Sequence, residues 1–157
     1  KFDEAIAPAA RLVELMPKDV ENRSTYGNIL LQAGRYGDAI DAYKAVLALD
    51  PGHSGDYYNL GLCHFYLEDW DATAAAWLTA LAHDPQNASV RKGLAVVYWR
   101  RGDFDEAWHA VWECQRRGIP LAADFIEDLQ RDSGRTGLDE SQEWEVKVGE
   151  SDATLPQ

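Results

Sequence analysis

Apolar side chains recur every three to four positions along residues 2–131, the spacing that places them on one side of an α-helix. Pro51 and Pro85 each follow an aspartate and stop a helix, while Gly34 and Gly102 can adopt the left-handed conformation that ends one. The pattern predicts eight helices, at about residues 2–15, 20–33, 36–49, 54–67, 70–83, 88–101, 104–117 and 121–131.

The helical pattern repeats itself every 34 residues. Three of the matching columns are Gly27, Gly61 and Ala95; Tyr36, Trp70 and Phe104; and Ala39, Thr73 and Ala107. One period before Tyr36 and Pro51 lie Phe2 and Pro17, so the chain begins in the middle of a copy. Because its first residue is Lys1, we expect a fragment or a processed product.

A period of 34 with two helices, a glycine between them and a terminal proline resembles the tetratricopeptide repeat. The resemblance implies an all-α fold, a right-handed superhelical solenoid of helix hairpins with about three and a half repeats and a capping helix. Glu68 departs from the pattern, since it replaces the glycine found at Gly34 and Gly102. The expected units are a half repeat (its second helix only) at 1–19, repeats at 20–53 and 54–87, a divergent repeat at 88–121, a capping helix at 122–131, and an acidic, mostly disordered tail at 132–157.

The first helix of each hairpin has two distinct faces. One carries the small and apolar residues of the predicted core, such as Gly27, Leu30 and Gly61. A second face lies about 140° around the same helices, and the resemblance assigns it to a concave, peptide-binding groove. Periodicity alone shows only that these residues share a side. The predicted peptide-binding residues are Asn28, Leu31, Gln32, Tyr58, Asn59, Leu62, Phe65, Tyr66, Lys92, Val96, Trp99 and Arg100.

Each kind of side chain in this set has its own expected role. The apolar and aromatic members would supply contact area if they are exposed. Asn28 and Asn59 resemble the amides that bind a ligand backbone, although Asn59 also follows the common repeat pattern. Lys92 and Arg100 would receive a carboxylate, or are lone surface cations. In the family's carboxylate clamp further positions are cationic, and here those positions are occupied by Ser24, Ser89 and Gly93, so we expect a more apolar ligand.

Composition narrows the range of partners. The formal net charge of −12 argues against nucleic acid, because phosphate binding needs a positive surface. No apolar run approaches the roughly 18 residues of a membrane-spanning helix, so we expect a soluble chain without direct membrane insertion. The sequence does not decide between the cytoplasm and the periplasm.

Candidate chemistry is sparse. Cys63 and His64 are neighbours on one helix and point about 100° apart, which makes them a poor chelating pair. Cys114 falls in a packing column, and we expect both thiols to act as small apolar side chains. No phosphate-binding loop, zinc helix or nucleophile arrangement is recognisable. We therefore expect no enzymatic activity, no cofactor and no metal.

Leu78 and Trp112 share a column that should face outward, and they form a possible second interface. Alternatively, the capping helix covers Trp112. The leading hypothesis is a protein-interaction module that binds an apolar or aromatic peptide. The alternatives are a scaffold or homo-oligomer that uses the solenoid ends and the convex face, or a small chaperone of the type III secretion class.

Overall fold

The computed structural model describes residues 2–137, which fold into helices joined by short turns, with no strand in that range. Every predicted helix is present, and each observed end lies within two residues of the predicted one. The helices are α1 (Phe2–Leu15), α2 (Val20–Gln32), α3 (Tyr36–Leu49), α4 (Ser54–Tyr66), α5 (Trp70–His83), α6 (Ala88–Arg101), α7 (Phe104–Arg116) and α8 (Ala123–Ser133).

Polar residues immediately before three of the helices fix where those helices begin. The side chain of Asp19 accepts a hydrogen bond from the Asn22 amide at 2.8 Å. Asp69 does the same at the start of α5, and Asn87 at the start of α6. Each of these bonds satisfies a backbone N–H that has no partner inside the helix, which stabilises a helix by about 1 kcal/mol.

The turns after α2, α4 and α6 require left-handed backbone. Gly34 and Gly102 have φ angles of 73° and 81°, which glycine adopts without strain. Glu68 holds the equivalent position after α4 with a φ of 58°. The repeat therefore forces a side chain into a conformation that costs about 1–2 kcal/mol.

Neighbouring helices pack by fitting a large ring of one helix against a glycine of another. Tyr43 of α3 is fully buried and lies where a Cβ on Gly27 of α2 would stand, with its Cε1 only 2.7 Å from that point. The indole of Trp77, from α5, fills the space beside both Gly61 of α4 and Gly93 of α6. It is 3% exposed, and burial of a ring this size contributes about 4–6 kcal/mol.

Helix α8 caps the last hairpin. Leu129 is fully buried against the α6–α7 core, and Trp108 of α7 donates from Nε1 to Ser133 Oγ at 3.0 Å. The prediction that the tail begins at residue 132 was wrong, because α8 continues to Ser133 and ends at Gly134. Arg135 then contacts Asp105 at the start of α7. The remaining part of the predicted disordered tail, 138–157, lies outside the described residues.

Candidate functional site

The twelve predicted peptide-binding residues lie on α2, α4 and α6, and none of them is fully buried. Gln32, Tyr66, Lys92 and Arg100 are exposed, and the other eight are half-buried. Ser24, on the same face of α2, is by contrast buried. Each of the twelve side chains therefore keeps part of its surface exposed.

Some of the apolar side chains on this face also pack against core residues. Phe65 lies 5.3 Å from Trp70 and 5.7 Å from Trp77, measured between ring centroids, and Tyr58 lies 6.2 Å from Trp77. Trp77 also donates from Nε1 to the backbone carbonyl of Tyr58 at 3.0 Å. These contacts fix the rings of α4 in place, so the surface they present is pre-ordered.

Tyr66 extends this aromatic cluster to the surface. It is 55% exposed and stacks on Tyr36 of α3, with ring centroids 4.8 Å apart and planes inclined by 13°. The edge of its ring also meets Phe65 at 6.3 Å. Sequence reasoning placed Tyr36 only in a repeat column and missed this contact, because the stack joins residues of two different hairpins.

The two asparagines hydrogen-bond to each other. Asn59 donates from Nδ2 to Asn28 Oδ1 at 3.0 Å, and the Tyr43 hydroxyl donates to the same oxygen at 2.7 Å. These bonds give Asn59 a structural role between consecutive repeats. The Asn28 amide N–H groups and Asn59 Oδ1 take no part in these two bonds. Together they offer one hydrogen-bond donor and one acceptor, which match the C=O and N–H groups of an extended peptide backbone.

The α6 end of the face carries the cations. The Arg100 guanidinium lies 4.5 Å above the Trp99 ring, a cation–π arrangement. Trp99 in turn donates from Nε1 to Asp132 Oδ2 at 2.9 Å and meets Phe125 of α8 edge-on at 5.8 Å. The capping helix therefore covers part of a ring that the sequence assigned wholly to the ligand. Lys92 is exposed and makes no ion pair within residues 2–137.

A buried polar cluster that the sequence analysis missed links α2 to α4. Asp56 is 1% exposed and accepts a hydrogen bond from the Ser24 hydroxyl at 2.8 Å. His53 Nδ1 lies 2.9 Å from Asp56 Oδ2, close enough for charge attraction but without hydrogen-bond alignment. Burial raises the pKa of Asp56, against the bond from Ser24 and the charge of His53, which lower it.

This cluster contains serine, histidine and aspartate, but its geometry differs from that of a nucleophile. The Ser24 hydroxyl donates to the carboxylate of Asp56, whereas nucleophilic activation requires it to donate to the imidazole. The three side chains instead tie two repeats together. A signal in the sequence was Ser24 itself, a small hydroxyl on a face of otherwise larger residues.

Cys63, Cys114 and His64 pack in the interior of the helical stack. Cys63 and Cys114 are buried and free, and burial raises the pKa of the Cys63 thiol to about 11. His64 is mostly buried, with Nδ1 3.4 Å from Asp69. Between residues 2 and 137, no group of three His, Cys, Asp or Glu side chains is placed to hold a metal ion.

Leu78 and Trp112, the predicted second interface, are 50% and 43% exposed. The alternative that the capping helix covers Trp112 was therefore wrong, because α8 packs instead on Trp99 and Trp108. The Arg116 guanidinium lies 5.0 Å from the Trp112 ring centroid. The sequence analysis did not include Arg116 in this surface.

Two family profiles match the chain: "Anaphase-promoting complex, cyclosome, subunit 3" over residues 1–77 and "Tetratricopeptide repeat" over residues 57–111. The second match assigns residues 57–111 to the tetratricopeptide repeat family. Two crystal structures of MamA resemble the fold, with TM-scores of 0.74 and 0.73 at 25% and 26% identity. Each covers 86% of this chain, and the match covers 75% and 80% of those chains.

Two curated relatives match this chain over a minor part of their own length. The Hsp70-Hsp90 organizing protein of Triticum aestivum is 32% identical over 95 residues, or 60% of this chain and 16% of that protein. The E3 ubiquitin-protein ligase CHIP of Arabidopsis thaliana is 31% identical over 121 residues, covering 76% of this chain and 38% of the ligase. The chain thus spans well under half of either relative.

Family and fold together confirm the predicted all-α tetratricopeptide solenoid. The family and the fold both support a protein–protein interaction module. None of the helices in residues 2–137 combines the length and the hydrophobicity that a membrane-spanning helix needs.

Proposed function

We propose that this tetratricopeptide domain binds an apolar or aromatic peptide segment of a partner protein along the face of α2, α4 and α6. The observation that carries the proposal is Tyr66, which is 55% exposed yet held by its stack on Tyr36. An exposed ring that is already ordered offers a large contact area and loses little side-chain entropy on binding.

Polar groups on the same face give the ligand an orientation. The Asn28 amide N–H groups and Asn59 Oδ1 make no hydrogen bond with residues 2–137, and they would pair with one C=O and one N–H of the peptide backbone. Lys92 and Arg100 would donate hydrogen bonds to one acidic side chain of the peptide at the α6 end. A short peptide in an open groove commonly binds at about micromolar strength, or roughly −8 kcal/mol, because ordering the peptide offsets much of the contact energy.

The test is a fluorescence titration of a peptide library, followed by measurement of the best binder with wild type and Tyr66→Ala. We expect Tyr66→Ala to weaken binding about tenfold, since truncation of a central aromatic commonly costs more than 1 kcal/mol. Phe2→Ala is the matched control, because Phe2 is a similarly exposed ring on α1, away from the face. Equal affinity for wild type and Tyr66→Ala would remove the groove assignment.

A scaffold role is the second candidate, because Leu78 and Trp112 leave two large apolar side chains exposed on α5 and α7. In this role the chain would self-associate through that surface or through the solenoid ends. Light scattering over a concentration series separates the two roles. A dimer that Trp112→Ala abolishes favours assembly, whereas a monomer at all concentrations argues against it.

A further inference from the structure

One exposed face of α7 combines aromatic and cationic side chains. His109, Trp112 and Arg116 follow one another at intervals of three and four residues, so they lie along the same side of the helix. The His109 and Trp112 rings are 5.8 Å apart, and Arg116 lies over Trp112. Tryptophan and arginine are the residue types that contribute most often to protein-binding energy. We call this strip, together with Arg117, the α7 face.

The α7 face is locally positive in a chain whose formal net charge is −12. Arg116 and Arg117 each donate to Glu113 at 3.0 Å, and Arg91 of α6 approaches the same carboxylate at 4.0 Å. Burial raises the pKa of Glu113, but the bonds from Arg117 and Arg116 outweigh it and hold the pKa below its ordinary value. Three guanidinium groups around one carboxylate leave an excess of positive charge.

The helix dipole explains only part of this arrangement. Cations in the last turn of a helix interact favourably with its negative end, which accounts for Arg116 and Arg117. That effect requires no aromatic neighbour, and it gives no reason for Trp112 to remain 43% exposed. A ligand that is both acidic and apolar would use the whole face.

The described chain ends close to this face. Ser133 of α8 accepts a hydrogen bond from Trp108, and Arg135 contacts Asp105, so residues 133–135 lie beside the first turns of α7. From there to Arg116 the helix rises about 17 Å. Ten residues of extended chain span up to about 33 Å, which is more than enough to follow α7 to its end.

The sequence that follows has the complementary chemistry. Six of residues 138–157 are Asp or Glu and one is Lys. Within the segment 139–148, acidic residues are interspersed with Trp144, Val146 and Val148 at every second position. In an extended segment these three apolar side chains would share one side. The long glutamate side chains beside them could then reach cations at the edge of an apolar surface such as the α7 face.

We propose that the α7 face binds this chain's own segment 139–148. Trp144 packs on Trp112, and the segment's carboxylates pair with Arg116 and Arg117. Because the two partners are joined by a short linker, their effective concentration is in the millimolar range, so even a weak contact is substantially occupied. The contact does not depend on the groove and would leave the face of α2, α4 and α6 open.

The test uses the full chain and the Trp112 indole N–H resonance in a proton–nitrogen NMR spectrum. In the variant Trp144→Ala with Glu143→Gln and Glu145→Gln, we expect this resonance to shift, and the same shift should follow addition of salt to the wild type. The matched control is Glu150→Gln with Asp152→Asn, which removes the same number of charges outside the segment. It should leave the resonance unchanged.

A charge exchange gives a second, independent measurement. Arg117→Glu, which leaves the Arg116 contact with the Trp112 ring in place, should shift the Trp112 resonance toward the position seen in the segment variant, with circular dichroism confirming that the helices persist. Adding Glu143→Arg should restore at least half of the shift. An identical Trp112 resonance in wild type and in the segment variant would overturn the proposal. A shift that appears only as the protein is concentrated, together with dimerisation in light scattering, would also overturn it and assign the segment to a second copy.

Discussion

Two glycines of α4 should respond in opposite ways to the same substitution. A Cβ on Gly55 would have no neighbour within 4 Å, whereas a Cβ on Gly61 would overlap the Trp77 indole and lie 3.0 Å from its Cγ. Alanine is favoured over glycine within a helix by about 0.5–1 kcal/mol, because glycine loses more backbone entropy on folding. Gly55→Ala should therefore stabilise the domain by up to that amount.

At Gly61 the same gain is opposed by overpacking. Forcing an extra methyl group into a packed core costs about 1–3 kcal/mol, and Trp77 cannot retreat because Gly93 of α6 closes its other side. We expect Gly61→Ala to destabilise the domain by up to about 2.5 kcal/mol, after the helix gain of about 0.5–1 kcal/mol is subtracted. The effect is measurable, because domains of this kind are stable by only about 5–15 kcal/mol in total.

Urea unfolding followed by circular dichroism measures both variants, and the change is read from the transition midpoint at constant slope. A third comparison isolates the cause. In a Trp77→Leu background the smaller side chain leaves room beside Gly61, so Gly61→Ala should no longer destabilise the protein. If Gly61→Ala and Gly55→Ala raise the midpoint equally in the wild-type background, the packing of Trp77 between two glycines is refuted.

Three single positions give further predictions. Glu68→Gly should stabilise the domain by about 1 kcal/mol in urea unfolding, because glycine adopts the left-handed backbone without strain. As a control, Glu106→Gly at an exposed position of α7 should destabilise the domain by about as much, because glycine is a poor helix former. Burial raises the pKa of Asp56 in the folded protein above its value in the unfolded chain, so the protonated carboxyl stabilises the fold at low pH. This stabilisation is lost as the pH rises through the pKa of the folded state. The difference in unfolding free energy between wild type and Asp56→Asn should thus fall as the pH rises above about 4. A difference that stays constant with pH would contradict the claim that burial raises this pKa. Cys63, whose buried thiol has a pKa of about 11, should react with a thiol reagent at least about 100-fold faster in urea than in the native state.

The 34-residue period was sufficient to predict the helices, because helix boundaries here depend on local signals. Pro51, Pro85 and the glycines after α2 and α6 act within a few residues of where they stand. The end of α8 was predicted too early for a different reason. Asp132 and Ser133 look like loop residues, but each is paired with a tryptophan on another helix, which no local pattern reveals.

The sequence predicted which residues line the candidate site, but it did not predict the contacts that these residues make. The repeat placed Phe65 and Tyr66 on one side of α4, where Phe65 is half-buried and Tyr66 is exposed. It did not give the stack on Tyr36, or the bond between Ser24 and Asp56, because these join residues 30 and 32 positions apart in adjacent hairpins. Such contacts depend on the angle at which hairpins stack, and that angle is a property of the whole solenoid.

Trp77 also determines how the domain comes apart. Its indole touches helices of two successive hairpins, so hydrogen exchange that opens α6 must also expose the α4–α5 pair. These four helices, α4 to α7, should exchange as one cooperative unit. Helix α1, whose only buried side chain is the small Ala9, has no comparable anchor, and fraying of the solenoid should start from that end.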